Sequence, residues 1–314
     1  MEPTASSSPA ATPVASTAQS WDSLPDAVKQ HYPWPGATFT TASGHQQHYL
    51  DEGEGEPMLM VHGNPTWSFY YRRLVQHFSA SHRCVVPDHI GCGLSETPED
   101  WTYRLQDHID NLVALIDHLD LQDITLLVHD WGGAIGFGAA LARPERIKRL
   151  VVFNTAVFME KVPWSIRFAR KPWVGETMVR GLNAFIRASL RWNLTDRGRL
   201  ANGVGEGYGA PYRSFEQRVG HLRFIRDIPL EDGHPTRATI ERLDREVTQL
   251  ADRPTVFIWG DQDFVFTPRF LHEHWLQKFP DADVHQFADA AHWVVEDAHE
   301  KIVPIIEGFL AKSA

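Results

Sequence analysis

The chain has 314 residues, of which 43% are hydrophobic, with 11 tryptophans and a formal charge of −10. It is long enough to bury one large core or two unequal ones, and its acidity argues against a nucleic-acid partner. Two cysteines, Cys84 and Cys92, are too few for a disulfide framework or a structural zinc site and suit a reducing, cytoplasmic setting.

Residues 1–20 are rich in Ala, Ser, Thr and Pro and hold almost no large apolar side chain. Such a stretch cannot offset its ordering entropy, so a disordered tail is expected. It lacks the basic start and apolar run of a signal peptide. No stretch reaches the roughly 18 apolar residues of a membrane span.

From residue 21 to 157, short apolar runs alternate with helical patterns. "PMLMVHG" (57–63), "HRCVVPD" (82–88), "ITLLVHD" (124–130) and "IKRLVVFN" (147–154) read as strands buried on both faces. Helices are expected over 67–79, 104–119 and 132–142. From 246 to 314 the rhythm resumes with strands "PTVFIWG" (254–260) and "DVHQFA" and helices over 268–279 and 297–312. This is the α/β pattern of a mostly parallel sheet with helices on both faces.

Residues 158–245 break that rhythm. Val174, Met178, Leu182, Phe185, Ile186 and Leu190 fall at helical spacing, which predicts a helical cap over the sheet's carboxyl edge. Within it, residues 161–199 carry nine Lys/Arg against Glu176 and Asp196, a local charge of +7 that leaves −17 for the rest. A solvated helical face explains this. So does a contact surface for self-association, for an acidic protein or for a membrane.

The chemistry concentrates at three turns. In "LLVHDWGGAIG", a buried strand turns into a helix with Asp130 at the apex. Gly132 and Gly133 permit the tight turn on which many hydrolases place a serine nucleophile, although Val128 stands where that motif has glycine. As a plain alternative, Asp130 caps the helix. "FIWGDQDFVF" sets Asp261 and Asp263 just past a strand, and "ADAAHWVVED" sets His292 before the last helix. Nucleophile, acid and histidine thus follow in the order this architecture uses. Asp263 is preferred as the acid, since Asp261 adjoins Gly260 and suits the turn. "MVHGNPTWSFYYR" supplies Asn64, whose backbone N–H and amide, with the Trp131 N–H and indole, could hold an oxyanion or a small anion.

A carboxylate nucleophile has a chemical reason. Attack by serine on a saturated carbon leaves an ether, whereas attack by a carboxylate leaves an ester that histidine-activated water can open. The set therefore suits displacement of halide from an alkyl carbon. Trp67, Phe158, Trp164, Phe168, Leu222 and Val265 are candidate walls of an apolar pocket for a small substrate. No metal or cofactor is expected. His272 and His274, two apart, would not share a helix face.

"HGNPTWSFYYR", "PDHIGCGLS", "VHDWGGAIGFG" and "IWGDQD…AAHW" resemble the haloalkane dehalogenases of the α/β-hydrolase superfamily, over about residues 30–312. The resemblance implies Asp130 as nucleophile, His292 as base, Asp263 as acid, and Asn64 with Trp131 as the halide-stabilising pair. One branch of that family carries a catalytic Glu after the preceding strand. Asn154 stands there in this chain, which looks like the third dehalogenase subfamily. "NTAVF", "APYRSF" and "RFIRDIPL" resemble equally the β-lactone decarboxylases of bacterial olefin synthesis, which use the same constellation on a cis-β-lactone and release carbon dioxide and an alkene. Epoxide hydrolases are a third reading. They would need a cap tyrosine as proton donor, and Tyr208 and Tyr212 are the candidates.

Overall fold

In the computed structural model, residues 18–313 are described. Most of the expected tail lies outside them. Residues 18–20 are inside and tied down: the Gln19 amide donates to the Pro211 carbonyl, and Ser20 caps a helical turn at Trp21–Ser23.

Eight strands form one sheet: β1 (Ala37–Thr40), β2 (Gln46–Glu52), β3 (Pro57–Val61), β4 (Arg83–Pro87), β5 (Ile124–Val128), β6 (Ile147–Phe153), β7 (Thr255–Gly260) and β8 (Asp283–Phe287). Their spatial order is β1-β2-β4-β3-β5-β6-β7-β8. The first two pairings, β1 with β2 and β2 with β4, are antiparallel, and all others are parallel. The antiparallel β1–β2 ribbon extends the sheet beyond the strands read from sequence.

The longer helices are α1 (Arg72–Phe78), α2 (Leu105–His118), α3 (Trp131–Ala142), α4 (Trp164–Ala169), α5 (Ala184–Trp192), α6 (Val204–Gly209), α7 (Val219–Asp227), α8 (Arg237–Glu246) and α9 (Val294–Lys312). Alternation along the strands divides the apolar core in two. Met58, Met60, Leu127 and Val151 face α1 and α9. Leu59, Val61, Leu126 and Val152 face α2 and α3. Both faces are therefore dry, which is why the strands read as unbroken apolar runs.

Between β6 and β7 the described residues form helices and turns only. The helical spacing of 174–190 is not one helix. A π-helical stretch, Gly175–Gly181, ends before Asn183, which adopts φ 53° and starts α5 afresh. At the end of the expected cap, Ile240 and Leu243 of α8 join the sheet's core cluster, and α8 packs on α3.

One clasp joins this insertion to the sheet layers. Arg72 of α1 makes a two-pronged bond to Glu296 of α9, at 2.7 and 2.9 Å, and Tyr208 of α6 donates to the same carboxylate at 2.6 Å. Burial opposes the charge on Glu296, yet Arg72 and Tyr208 hold its carboxyl below the ordinary range.

Candidate active site

Asp130 sits between β5 and α3 with φ 52° and ψ −128°, a backbone that side chains rarely adopt. Backbone bonds hold the bend, and the Thr155 hydroxyl adds one to the Asp130 carbonyl. The Asp130 N–H donates to the Asn154 carbonyl at 3.0 Å, and its carbonyl accepts from Gly133 at 2.9 Å. Glycine is required at 132 because a Cβ there would overlap the Val61 carbonyl on the neighbouring strand. The same crowding explains Gly63, where a Cβ would strike the Asp130 carboxylate.

The carboxylate is divided in function by its partners. Oδ1 accepts the Asn64 backbone N–H at 2.7 Å, and the Trp131 N–H also bonds the carboxylate. Oδ2 lies 3.6 Å from His292 Nε2. Burial pushes the Asp130 carboxyl above its ordinary value, against the pull of His292 and the two N–H groups. The Asn64 N–H, expected in an anion hole, thus already holds one oxygen, and the other lies toward the histidine.

His292 is oriented from two sides. Its Nδ1 bonds Asp263 Oδ2 at 2.8 Å, and its backbone carbonyl accepts from His129 Nε2 at 2.7 Å. Asp263 is itself fixed, since Oδ1 accepts the N–H groups of Val265 and Phe266 at 2.7 and 3.0 Å. Burial works against a charged His292, but Asp263 and then Asp130 outweigh it and raise its pKa. Asp261 instead accepts from Gln286 and stands at the turn. Asn154 donates to the Gly260 carbonyl at 3.0 Å and accepts its N–H at 2.8 Å, stitching β6 to β7.

A cavity of about 740 Å³ opens above these groups. Asn64, Asp130, Trp131 and His292 line its floor, and Phe158, Phe168 and Val265 its walls, with Ile166, Val179 and Ile225 among the further apolar groups. The Trp131 indole packs 5.4 Å from Phe224, and its N–H makes no hydrogen bond among the described residues. The Asn64 amide donates to the His221 carbonyl of α7 at 3.2 Å, which leaves its second N–H unspent.

Three expected wall residues lie elsewhere. Trp67 is fully buried, its indole donating to the Gly207 carbonyl at 3.0 Å while its ring stacks on Phe69. Leu222 faces inward on α7 against Val179 and Ile225. Trp164 is 79% exposed. Its neighbours Pro163, Ser165 and Ile166 line the cavity, so the helix runs along the rim with this ring turned outward. Neither cap tyrosine reaches the cavity: Tyr208 is held by Glu296, and Tyr212 OH accepts the Gly93 N–H at 2.8 Å. That removes the proton donor on which the epoxide reading depended. Roles for His129 and Glu296 were not anticipated, although both sit within motifs quoted for their neighbours.

A parallel sheet flanked by helices, with a carboxylate on a strained turn after a central strand, defines an α/β-hydrolase-type enzyme. The chain belongs to the alpha/beta hydrolase fold family, whose model matches residues 56–298. It is 43% identical to the cis-3-alkyl-4-alkyloxetan-2-one decarboxylase of Shewanella oneidensis, over 88% of each chain. Identity to haloalkane dehalogenase 2 of Mycobacterium tuberculosis is 33%, over 92% of this chain and 99% of the other. The crystal structure of a haloalkane dehalogenase from Agrobacterium tumefaciens superposes with a TM-score of 0.79 at 26% identity, covering 89% of this chain and 97% of that one. Two of the three activities weighed from the sequence thus occur among these relatives, and of the two the decarboxylase is the more similar.

Proposed function

We propose that the chain decarboxylates a cis-β-lactone bearing two alkyl chains, with Asp130 as nucleophile and the helices between β6 and α8 as a cap over the substrate. The carrying observation is a buried carboxylate, one oxygen held by the Asn64 N–H and the other beside His292, at the floor of an apolar cavity of about 740 Å³. That volume lies in the range that encloses drug-sized ligands, far beyond the needs of a two-carbon halide. The 43% identical relative supports the same choice.

The chemistry balances without water. Asp130 Oδ2 attacks the ring carbon that carries the ring oxygen. The carbon–oxygen bond breaks, and its electron pair leaves on the freed carboxylate. The bond between that carboxylate and the ring then breaks, and its pair forms the carbon–carbon double bond. Carbon dioxide departs, and the ester oxygen leaves as the Asp130 carboxylate. Inversion in the first step and anti elimination in the second give a cis alkene from a cis lactone. His292, protonated, pairs the carboxylate released by ring opening.

Haloalkane hydrolysis is the second reading, favoured by one observation. The unspent indole N–H of Trp131 and second amide N–H of Asn64 both belong to cavity-lining residues, as a halide cradle would need. Here neutral His292 activates water to open the ester. The two are separated by assaying alkene from a cis-3-alkyl-4-alkyloxetan-2-one against bromide from 1-bromobutane, each in heavy-oxygen water. Lactone turnover is expected to dominate and to leave the Asp130 peptide unlabelled. Faster bromide release with label in that peptide would reverse the assignment.

A further inference from the structure

Among the described residues, every exposed large apolar side chain except Val284 lies in 159–192 or at Phe215 and Phe264. The most exposed are Trp173 at 86%, Trp164 at 79% and Trp192 at 60%. Phe168, Met178, Leu182 and Trp192 also line the cavity, so this apolar surface surrounds its mouth. An exposed patch of this kind marks a contact surface.

The charges on the same segment fall into two sets. Arg170, Arg180 and Arg199 pair with Glu231, Glu99 and Glu300. Lys161, Arg167, Lys171, Arg187, Arg191 and Arg197 make no ion pair among the described residues. Of the acids nearby, Glu160 is hydrogen-bonded to His274, and Glu176 pairs with Arg180 and Arg226. What faces outward is therefore tryptophan interleaved with unpaired cations, on a chain whose remainder carries −17.

We propose that this face docks on an anionic lipid surface, with Trp164, Trp173 and Trp192 in the interfacial layer and the cavity mouth turned toward the acyl chains. Tryptophan suits that layer because its ring is apolar while its N–H wants a polar partner. Lysine and arginine lay their stems along apolar surface and keep their charge among headgroups. The negative remainder orients the molecule, since it is repelled by the surface that attracts the cap. A protein seated here would stopper the cavity, whereas a lipid phase delivers apolar substrate directly to its mouth. The docking stands on exposure and charge alone, and only the delivery route rests on the proposed lactone substrate.

The test is co-sedimentation of the full chain with vesicles of phosphatidylcholine alone or mixed equally with phosphatidylglycerol. Binding is expected only to the mixed vesicles and is lost as salt rises from about 0.1 to about 1 M. Arg167→Gln with Lys171→Gln weakens it about 25-fold, at about fivefold for each cation removed from the surface. Trp164→Ala with Trp173→Ala weakens it about tenfold or more. None of these four residues lines the cavity, so turnover of a dispersed short-chain substrate reports that the variants are folded. Equal binding to both vesicles, no binding, or variants that bind as the parent does would overturn the proposal. So would a lipid-free dimer that the tryptophan pair dissolves, or poly-glutamate binding as tight as that of the vesicles. Sedimentation needs no turnover: a chain that binds vesicles yet forms no alkene keeps the docking face and loses the lactone assignment.

Discussion

The strand ends and the helical insertion meet at one cavity but are built by different rules. At the strand ends each site residue is fixed by hydrogen bonds that involve backbone atoms. Asp130 is gripped by the Asn64 and Trp131 N–H groups, Asp263 by those of Val265 and Phe266, and the His292 carbonyl by His129. In the insertion, short helical pieces break at Asn183 and present large apolar side chains to solvent around the cavity mouth. The first region fixes geometry for chemistry. The second presents large apolar side chains to solvent, which suits contact with an apolar surface.

The sharpest way to break this contrast is Asp130→Asn, which keeps the shape and removes the proposed nucleophile. Turnover of either substrate is expected to fall by about 10⁴-fold or more. A variant retaining a tenth of the activity would show that the strained turn holds no reacting group. The next test concerns His292, whose raised pKa places its titration above the ordinary value of about 6.5. Lactone turnover uses the protonated ring and falls as pH rises through that midpoint, whereas bromide release uses the neutral ring and climbs through it. Asp263→Asn removes the largest group favouring the charged ring. It is expected to move the midpoint down and to lower the rate by about 10²–10⁴. A midpoint unmoved in that variant would separate Asp263 from the histidine. The smallest effect compares two aromatic neighbours in the insertion. Phe168→Ala enlarges the cavity and raises KM for long-chain substrate about tenfold. Trp164→Ala, outside the cavity, changes kcat/KM with a dispersed short-chain substrate by no more than about twofold.

The same division governs what could be read without coordinates. Asp130, Asp263 and Asn64 are legible because each sits just past a buried strand, where strand, glycine and polar residue leave a local signature, and His292 because it sits in the loop before the last helix. The ribbon β1–β2 was missed. Its turn at Gly44, with φ 86°, lies in "TASGHQQH", whose polar alternation carries little apolar signal. His129 was passed over because a histidine beside the apex looks like strand, and only the fold brings it to the His292 carbonyl across 163 residues of chain. Phe158, Phe168 and Val265 do line the cavity, but Trp67, Trp164 and Leu222 do not. Periodicity identifies a helix face without saying which neighbour that face meets. At Trp67 the answer depended on a carbonyl from α6, remote in sequence.

The bond from the Asn64 amide to the His221 carbonyl ties the loop after β3 to α7. Any motion that lifts α7 from the sheet takes away the acceptor orienting that amide. Opening the roof and slackening the floor are then a single event. If Asn64 holds an anion as the halide reading requires, its amide is aligned for that task only while α7 stays seated on the loop.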